Sequence, residues 1–189
     1  MKFNGIKHNV TKTLSLAPAR AAAGLVTMAL ILTAGLAAHA EDQRAPEVPD
    51  SIAAGTTNKV HFHGFGVGVQ IYTWDGSSWG RPVPEAILFN GQRGVVVIHS
   101  AGPTWESNSG SKVVGAVAAP PVTVDTNAIP WLLLSAVKTE GPGIFANTTF
   151  IQRVNTTGGL APTANGTFVG QVARVPYTAD YFFFRASND

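Results

Sequence analysis

The sequence predicts a single all-β domain, either an antiparallel sandwich or a closed barrel, that follows a cleaved signal peptide. Three observations favour this class. Short runs of β-branched and aromatic residues fill the chain after residue 58, turn-forming dipeptides separate them, and no amphipathic helix period continues beyond two turns. Runs and turns spaced in this way are typical of a β-meander.

Residues 1–40 have the parts of an export signal. Four basic residues precede or open an uncharged apolar run at 21–36, and an Ala-His-Ala cleavage pattern ends at Ala40. The run is about sixteen residues long, shorter than the roughly twenty that span a bilayer. We therefore predict cleavage after Ala40, no membrane span in the mature chain, and a periplasmic or secreted location.

Removal of the signal changes the charge of the chain. Residues 41–189 keep nine of the 13 basic residues and all 11 acidic ones, a net charge of −2. The basic character therefore belongs to the signal and gives no reason to expect nucleic acid as a partner. The chain has no cysteine, so neither disulfides nor thiolate chemistry can occur.

The mature chain divides into a polar, proline-containing leader, 41–58, and a β domain, 59–186. The leader lacks an apolar period and is expected to be mobile. In the domain, the first predicted strand is 59–73, and Asp75-Gly76 forms the turn after it. The next strands, 86–89 and 92–99, are expected to form a hairpin around Asn90-Gly91, a favoured pair for a type I′ turn.

The remaining elements follow in the same style. Residues 94–99 are apolar on both alternating faces, which predicts a central strand covered on both sides. Residues 130–137 fit a buried strand or two turns of helix, and we favour the strand because Pro130 can open one. The sequence also predicts a Ser109-Gly110 turn before strand 112–117, strands at 148–154 and 181–184, and a surface loop at 155–166.

Five blocks of sequence carry a family resemblance. They are Gly68-Val-Gln-Ile-Tyr72, Ala101-Gly-Pro-Thr-Trp-Glu106, Ile129-Pro-Trp-Leu-Leu-Leu134, Ile151-Gln-Arg-Val-Asn-Thr156 and Arg174-Val-Pro-Tyr-Thr-Ala-Asp-Tyr181. In this order they resemble the exported family catalogued as domain of unknown function 3455, across roughly residues 48–185. The resemblance implies a secreted β-rich domain with no established activity.

Three histidines remain after cleavage, and they are the candidate metal ligands. On one strand His61 and His63 point to the same face, so they could offer two imidazoles to zinc or copper, with His99 or Glu106 as a third ligand. The alternative is structural. The same face carries Phe65 and the apolar residues after it, which predicts a core face with neutral, hydrogen-bonded imidazoles at its end.

Glycines alternate with this apolar face at positions 64, 66 and 68. Without side chains there, another backbone or an aromatic ring can approach closely. We expect either an aromatic side chain of the protein or a flat ligand above them.

A second candidate site would bind a carbohydrate or a small apolar ligand. The four tryptophans and three tyrosines could form a stacking platform, and polar groups at Gln70, Glu106 and Arg153 could orient a ligand. Trp105 is expected at the rim, because a Gly-Pro turn precedes it. Arg153 is expected to pair with a carboxylate if it points inward.

The sequence contains no recognisable catalytic constellation. It has no G-x-S-x-G nucleophile elbow and no glycine-rich loop that leads into a helix. The spacing of its carboxylates indicates no catalytic pair of the kind that glycosidases use. We therefore expect a non-catalytic exported domain that needs no cofactor. A His-metal enzyme and a structural surface protein are the alternatives, and no oligomeric state is indicated.

Overall fold

A computed structural model describes residues 44–90 and 95–187 of the chain. The strands are β1 (Asn58–Thr73), β2 (Val83–Asn90), β3 (Val95–Ser100), β4 (Thr104–Ser107), β5 (Lys112–Val117), β6 (Leu132–Glu140), β7 (Phe150–Gly158) and β8 (Val172–Ala186). Each strand pairs with the next in antiparallel fashion, and β8 returns to β1, so the sheet closes into an eight-stranded barrel. The predicted all-β class is confirmed, in the barrel form. The predicted signal peptide, 1–40, lies outside the described residues.

Closure of the barrel depends on β1 and β8, its two longest strands. They pair from Asn58 opposite Ala186 to Thr73 opposite Val172, and a bulge at His61 interrupts the register. Closing the sheet leaves no unpaired edge strand that another chain could extend.

The glycines of β1 face the barrel interior and let neighbouring groups approach closely. A Cβ atom added to Gly66 would lie 2.8 Å from the ring of Tyr181, and one added to Gly68 would collide with the β2 backbone at Glu85 and Ala86. The expectation that a backbone or an aromatic ring packs against these glycines is confirmed.

The predicted core face of β1 was wrong. Phe62 and Gln70, on the glycine face, are buried, whereas Phe65 and Val67 are 45% and 46% exposed on the outside. Alternation shows that two faces differ but does not say which one turns inward. A narrow barrel interior selects the face with small residues, because the side chains of eight strands must share that space.

Strand β3 also differs from the prediction, since it is covered on only one side. Val97 and His99 point into the barrel and are buried, whereas Val96 and Ile98 are 37% and 60% exposed. The exposed residues continue an apolar surface across three adjacent strands. This outer apolar patch consists of Phe65, Val67, Ile87, Phe89, Val96 and Ile98, which are neighbours in the strand register.

The two faces of β3 should respond differently to truncation. Val97→Ala is expected to lower the free energy of unfolding by about 2 kcal/mol, because it removes two buried methyl groups and leaves a cavity. Ile98→Ala, on the exposed face, is expected to change it by roughly 0.5 kcal/mol or less. Urea unfolding of both variants checks this, and equal losses would contradict the assignment of the faces.

Aromatic packing fills the end of the barrel where β1 begins. The rings of Phe62, Phe145 and Phe183 pack on one another with centroid distances of 4.7–5.9 Å, and all three are essentially fully buried. Phe145 comes from the β6–β7 connection, which places its ring in the barrel end. This end is therefore packed solid.

The N-terminal segment 44–57 packs against the outside of the barrel, although the sequence predicted a mobile leader there. A short 3-10 helix, Asp50–Ile52, buries Ile52 completely, and the Gln152 side chain donates a hydrogen bond to the Ile52 carbonyl at 2.5 Å. Val48 and Ala54 contact an outer hydrophobic cluster that includes Phe182 of β8. Hydrophobic contacts without helical or strand periodicity hold this segment, so the sequence pattern did not reveal them.

The connections follow the turn signals in part. At the predicted Asp75-Gly76 turn, the Asp75 carboxylate accepts the backbone N–H groups of Ser77 and Ser78 at 2.7 and 2.8 Å. The predicted strand after Pro130 is confirmed as β6. The predicted loop at 155–166 starts later, because β7 continues to Gly158.

The second predicted turn lies partly outside the described residues. Register pairs Asn90 with Val95, so residues 91–94 connect β2 to β3. The antiparallel pairing of β2 and β3 is confirmed. The predicted two-residue turn at Asn90-Gly91 was wrong, because it would pair Phe89 with Gln92, whereas Phe89 pairs with Val96 and Asn90 is the last residue of β2.

Candidate functional site

An end cavity of about 260 Å³ lies at the barrel end opposite the packed phenylalanines. All eight strands contribute to its lining, as does the β3–β4 turn. The lining residues are Gln70, Pro82, Val83, Pro84, His99, Ala101, Gly102, Pro103, Trp105, Val117, Leu132, Leu134, Arg153 and Tyr181. The volume is close to the lower limit of ligand pockets, which is roughly 300 Å³.

Most of the cavity wall is apolar. Leu132 and Leu134 of β6 line it together with Val83 of β2 and Pro103 of the β3–β4 turn. Val117 lies at the rim with 60% of its surface exposed. Prolines and branched side chains give such a wall little conformational freedom. The cavity therefore offers a largely preformed apolar surface with a few polar groups.

Arg153 is the charged residue of the cavity. It lies on β7, and its Nε and Nη2 atoms donate to the Pro130 carbonyl at 3.3 and 2.8 Å. The sequence predicted a carboxylate partner for an inward Arg153, but no acidic side chain in the described part of the chain pairs with it. The guanidinium thus keeps an uncompensated positive charge beside the cavity.

Two buried polar side chains of the cavity have unpartnered nitrogen atoms. Gln70 is 2% exposed and Trp105 is 1% exposed, and neither Gln70 Nε2 nor Trp105 Nε1 has a hydrogen-bond partner among the described residues. A buried polar group without a partner costs about 1–3 kcal/mol. Native interiors contain few such groups, and each indicates a water, an ion or a ligand that would satisfy it.

His99 forms the aromatic floor of the cavity together with Trp105. Their rings stack at 4.3 Å with an angle of 2°, and His99 Nδ1 lies 2.9 Å from the Thr104 carbonyl oxygen. Since a carbonyl only accepts, Nδ1 carries the proton and Nε2 holds a lone pair. Burial lowers the pKa of His99 to about 4, which the Thr104 hydrogen bond opposes and the Arg153 charge reinforces. His99 is therefore neutral at pH 7.

Tyr181 borders both Arg153 and His99. Its hydroxyl lies 3.0 Å from that of Tyr177, and its ring meets the His99 ring edge-on at 5.3 Å. Burial raises the pKa of Tyr181 well above its usual value, a shift that the Arg153 charge opposes. The hydroxyl thus remains protonated and available as a hydrogen-bonding group.

The three histidines predicted as metal ligands lie in different places. His63 faces outward, stacks on Phe182 at 4.2 Å and lies 2.8 Å from the Asp180 carboxylate, whereas His61 contacts Thr148 at 3.3 Å. His99 lies inside the barrel. Among the residues that the structure describes, no group of three His, Asp or Glu side chains could hold a metal ion. The geometry gives the zinc or copper hypothesis no support.

Of the four predicted binding residues, three come together. Gln70, Trp105 and Arg153 line the end cavity, but Glu106 points outward and pairs with Lys112 at 3.1 Å. Neighbouring residues of a strand point to opposite faces, so Trp105 and Glu106 could not serve one site. Trp105 lies beneath the cavity and not at its rim, since it is almost completely buried.

The predicted aromatic platform does not form on the surface. Trp74 and all three tyrosines are buried, and Trp79 donates its Nε1–H to the Ala164 carbonyl at 2.9 Å. Trp131 is half-buried beside the outer cluster. The expected carbohydrate-stacking surface is therefore absent from the described residues.

Sequence reasoning missed the apolar wall of the cavity. The sequence predicts only a buried strand at 130–137, and no pattern in it marks Val117 or Pro103 as a site residue. Leu132 and Leu134 lie two positions apart on β6, so they share a face. Only closure of the barrel brings that face to the same cavity as Arg153 and Gln70.

The fold and the cavity together define a class, a closed antiparallel β-barrel with a small, mostly apolar end cavity. No helix in the described ranges is long and apolar enough to span a membrane. The chain matches the family described as "Protein of unknown function (DUF3455)" over residues 87–185, which is just over half of its 189 residues. The chain therefore belongs to this family, and the predicted resemblance is confirmed. No curated protein and no solved structure matches it.

Proposed function

We propose that this protein is an exported, non-catalytic binding domain whose end cavity takes a small, largely apolar ligand. The observation that carries the proposal is the pair of unpartnered polar side chains, Gln70 and Trp105, in an otherwise apolar cavity. Folding around such groups is costly unless a bound molecule or water completes their hydrogen bonds. Export rests on the signal pattern of residues 1–40.

The cavity supports a small ligand better than a carbohydrate or a metal. Aromatic stacking on a sugar needs an accessible ring face, whereas the rings of Trp105 and His99 cover each other on one side and are buried. Metal chemistry would need several converging ligands, and of the three histidines only His99 lies at the cavity. In the part of the chain that the structure describes, Tyr181 is the one hydroxyl residue of the lining, which contains neither a carboxylate nor a lysine.

A bulky side chain at the rim should block binding without disturbing the core. Val117 and Val137 are strand valines that are both 60% exposed, but only Val117 borders the cavity. Val117→Trp is expected to weaken the binding of the neutral probes benzamide and hexanamide at least tenfold, because the indole would occupy the mouth. Val137→Trp is expected to bind them like the wild type.

Chemical-shift titration of the mature protein measures these affinities, and the indole N–H of Trp105, which is a lining residue, provides a signal close to the cavity. Thermal unfolding of both variants controls for loss of structure. Equal binding by the wild type and by Val117→Trp would place the ligand elsewhere and overturn the proposal.

A further inference from the structure

We infer that the ligand of the end cavity is a small carboxylate whose charged group lies against Arg153 and whose apolar part lies against the wall formed by β6 and the barrel mouth. This inference rests on the proposed function and adds to it the chemical class of the ligand. Three features of the cavity support it, namely its charge, its unpartnered donors and the division between its polar and apolar sides.

The charge of the cavity is positive and is not balanced by the protein. Among the described residues that line the cavity, Arg153 carries the one permanent charge, because His99 is neutral at pH 7 and none of them is an aspartate or a glutamate. Three acidic residues follow or precede a lining residue in a strand, and each has a basic partner on the outer face. Asp180, which is nearest to Arg153 in the register, pairs with His63. Glu106 pairs with Lys112, and Glu85 pairs with Arg174. A half-buried guanidinium without a counterion favours an anionic ligand, which would supply that counterion.

The hydrogen-bond donors match an acceptor group. Gln70 Nε2 and Trp105 Nε1 are buried and unpartnered, and an indole N–H can only donate. Nε and Nη2 donate to the Pro130 carbonyl, which fixes the plane of the guanidinium, and the Arg153 side chain also hydrogen-bonds to the Tyr181 hydroxyl. A guanidinium has five N–H donors, so donors remain for a ligand. An ionised carboxylate only accepts hydrogen bonds, at two oxygen atoms, and so can satisfy several donors together.

The rest of the cavity favours a ligand that has one singly charged group and is otherwise apolar. The described lining residues include no second cation beside Arg153, which a phosphate dianion would favour. The side chains of Leu132, Leu134 and Val117 have no hydrogen-bonding groups. A neutral sugar would need donors and acceptors distributed around it. A short aliphatic or aromatic acid places its one polar group at the polar side and buries the remainder.

The test compares matched acids and amides, benzoate with benzamide and hexanoate with hexanamide, at constant ionic strength and pH 7. Each acid has nearly the shape of its amide, so their difference reports on the charge. We expect the wild type to bind each acid roughly tenfold or more tightly than its amide, as charge-assisted hydrogen bonds provide. The Trp105 indole N–H resonance is expected to shift with the acid.

Two arginine variants give the matched control. Arg153→Gln is expected to remove the preference for the acid over its amide, whereas Arg174→Gln, which alters an outward arginine paired with Glu85, is expected to retain that preference. Arg153→Lys keeps the charge and should restore part of it. The comparison of acid with amide in the wild type needs no variant and therefore stands even if Arg153→Gln does not fold.

The outcomes separate the inference from the proposed function. Equal binding of acid and amide by the wild type, or a preference that persists in Arg153→Gln, overturns the carboxylate inference while the binding function stands. Binding of neither acids nor amides overturns both. A preference that Arg153→Gln abolishes and Arg174→Gln retains supports the inference.

Discussion

Gly68→Ala is expected to lower the free energy of unfolding by at least about 3 kcal/mol, a large part of the 5–15 kcal/mol typical of a domain. Gly68 lies opposite Ala86 in the register of β1 and β2. An added Cβ atom would collide with the Glu85 carbonyl oxygen and with Ala86, and these are main-chain groups or lie next to the main chain, so they cannot rotate away. One of the two strands would have to move.

Gly80→Ala is the matched control for this substitution. Gly80 lies in the β1–β2 connection, and a Cβ atom there would meet only the Thr73 carbonyl oxygen at 3.4 Å, an ordinary contact. Its φ is not positive, so alanine can adopt the conformation. Urea unfolding of both variants measures the difference. A loss below about 1 kcal/mol for Gly68→Ala would show that β1 and β2 are not as close as described.

Acid is expected to destabilise the barrel through His99, with a loss of about 3 kcal/mol between pH 6.5 and pH 4. Burial holds the pKa of the folded His99 at about 4, below its ordinary value of 6.5. Between these values the unfolded chain binds a proton that the folded chain excludes, so stability falls as the pH falls. Above pH 6.5 the imidazole is neutral in both states and the contribution is constant.

The His99→Phe variant isolates this contribution. A phenyl ring keeps an aromatic group stacked on Trp105 but cannot titrate, so this variant should be less stable at pH 7 and should lose most of the pH dependence between 6.5 and 4. Urea unfolding at half-unit pH intervals measures both curves. A wild-type curve that is flat in this window would contradict the burial of a neutral His99.

Several strands and the pairing of β2 with β3 could be predicted from the sequence, but the inward face could not. The turn at Asp75-Gly76 and the strand after Pro130 follow from local conformational preferences. In β1, however, Phe65 and Val67 looked like core residues and lie outside, because the pattern of a strand alternates identically whichever face is buried. The glycines on the other face contained the decisive signal, since only small residues fit where Tyr181 approaches Gly66.

The sequence predicted three polar or aromatic residues of the candidate site, but it did not predict which residues come together. Gln70, Trp105 and Arg153 were identified by chemical type, and they converge in the end cavity. Glu106 and the histidine cluster did not join them, because strand parity sends Glu106 outward and the barrel separates His99 from His61 and His63. The sequence contains no information on which residues of different strands meet across a barrel until the strand register is known.

By itself the sequence determined the all-β class, the absence of cysteine chemistry and the family, because composition, turn residues and short sequence blocks are local properties of the chain. The tertiary structure decided that the sheet closes and which face of β1 turns inward. It also decided that Arg153 lines one cavity with Gln70 and Trp105, and that no carboxylate is among the described lining residues. Closure relates residues more than eighty positions apart, and the space inside the barrel decides which of their side chains can share it.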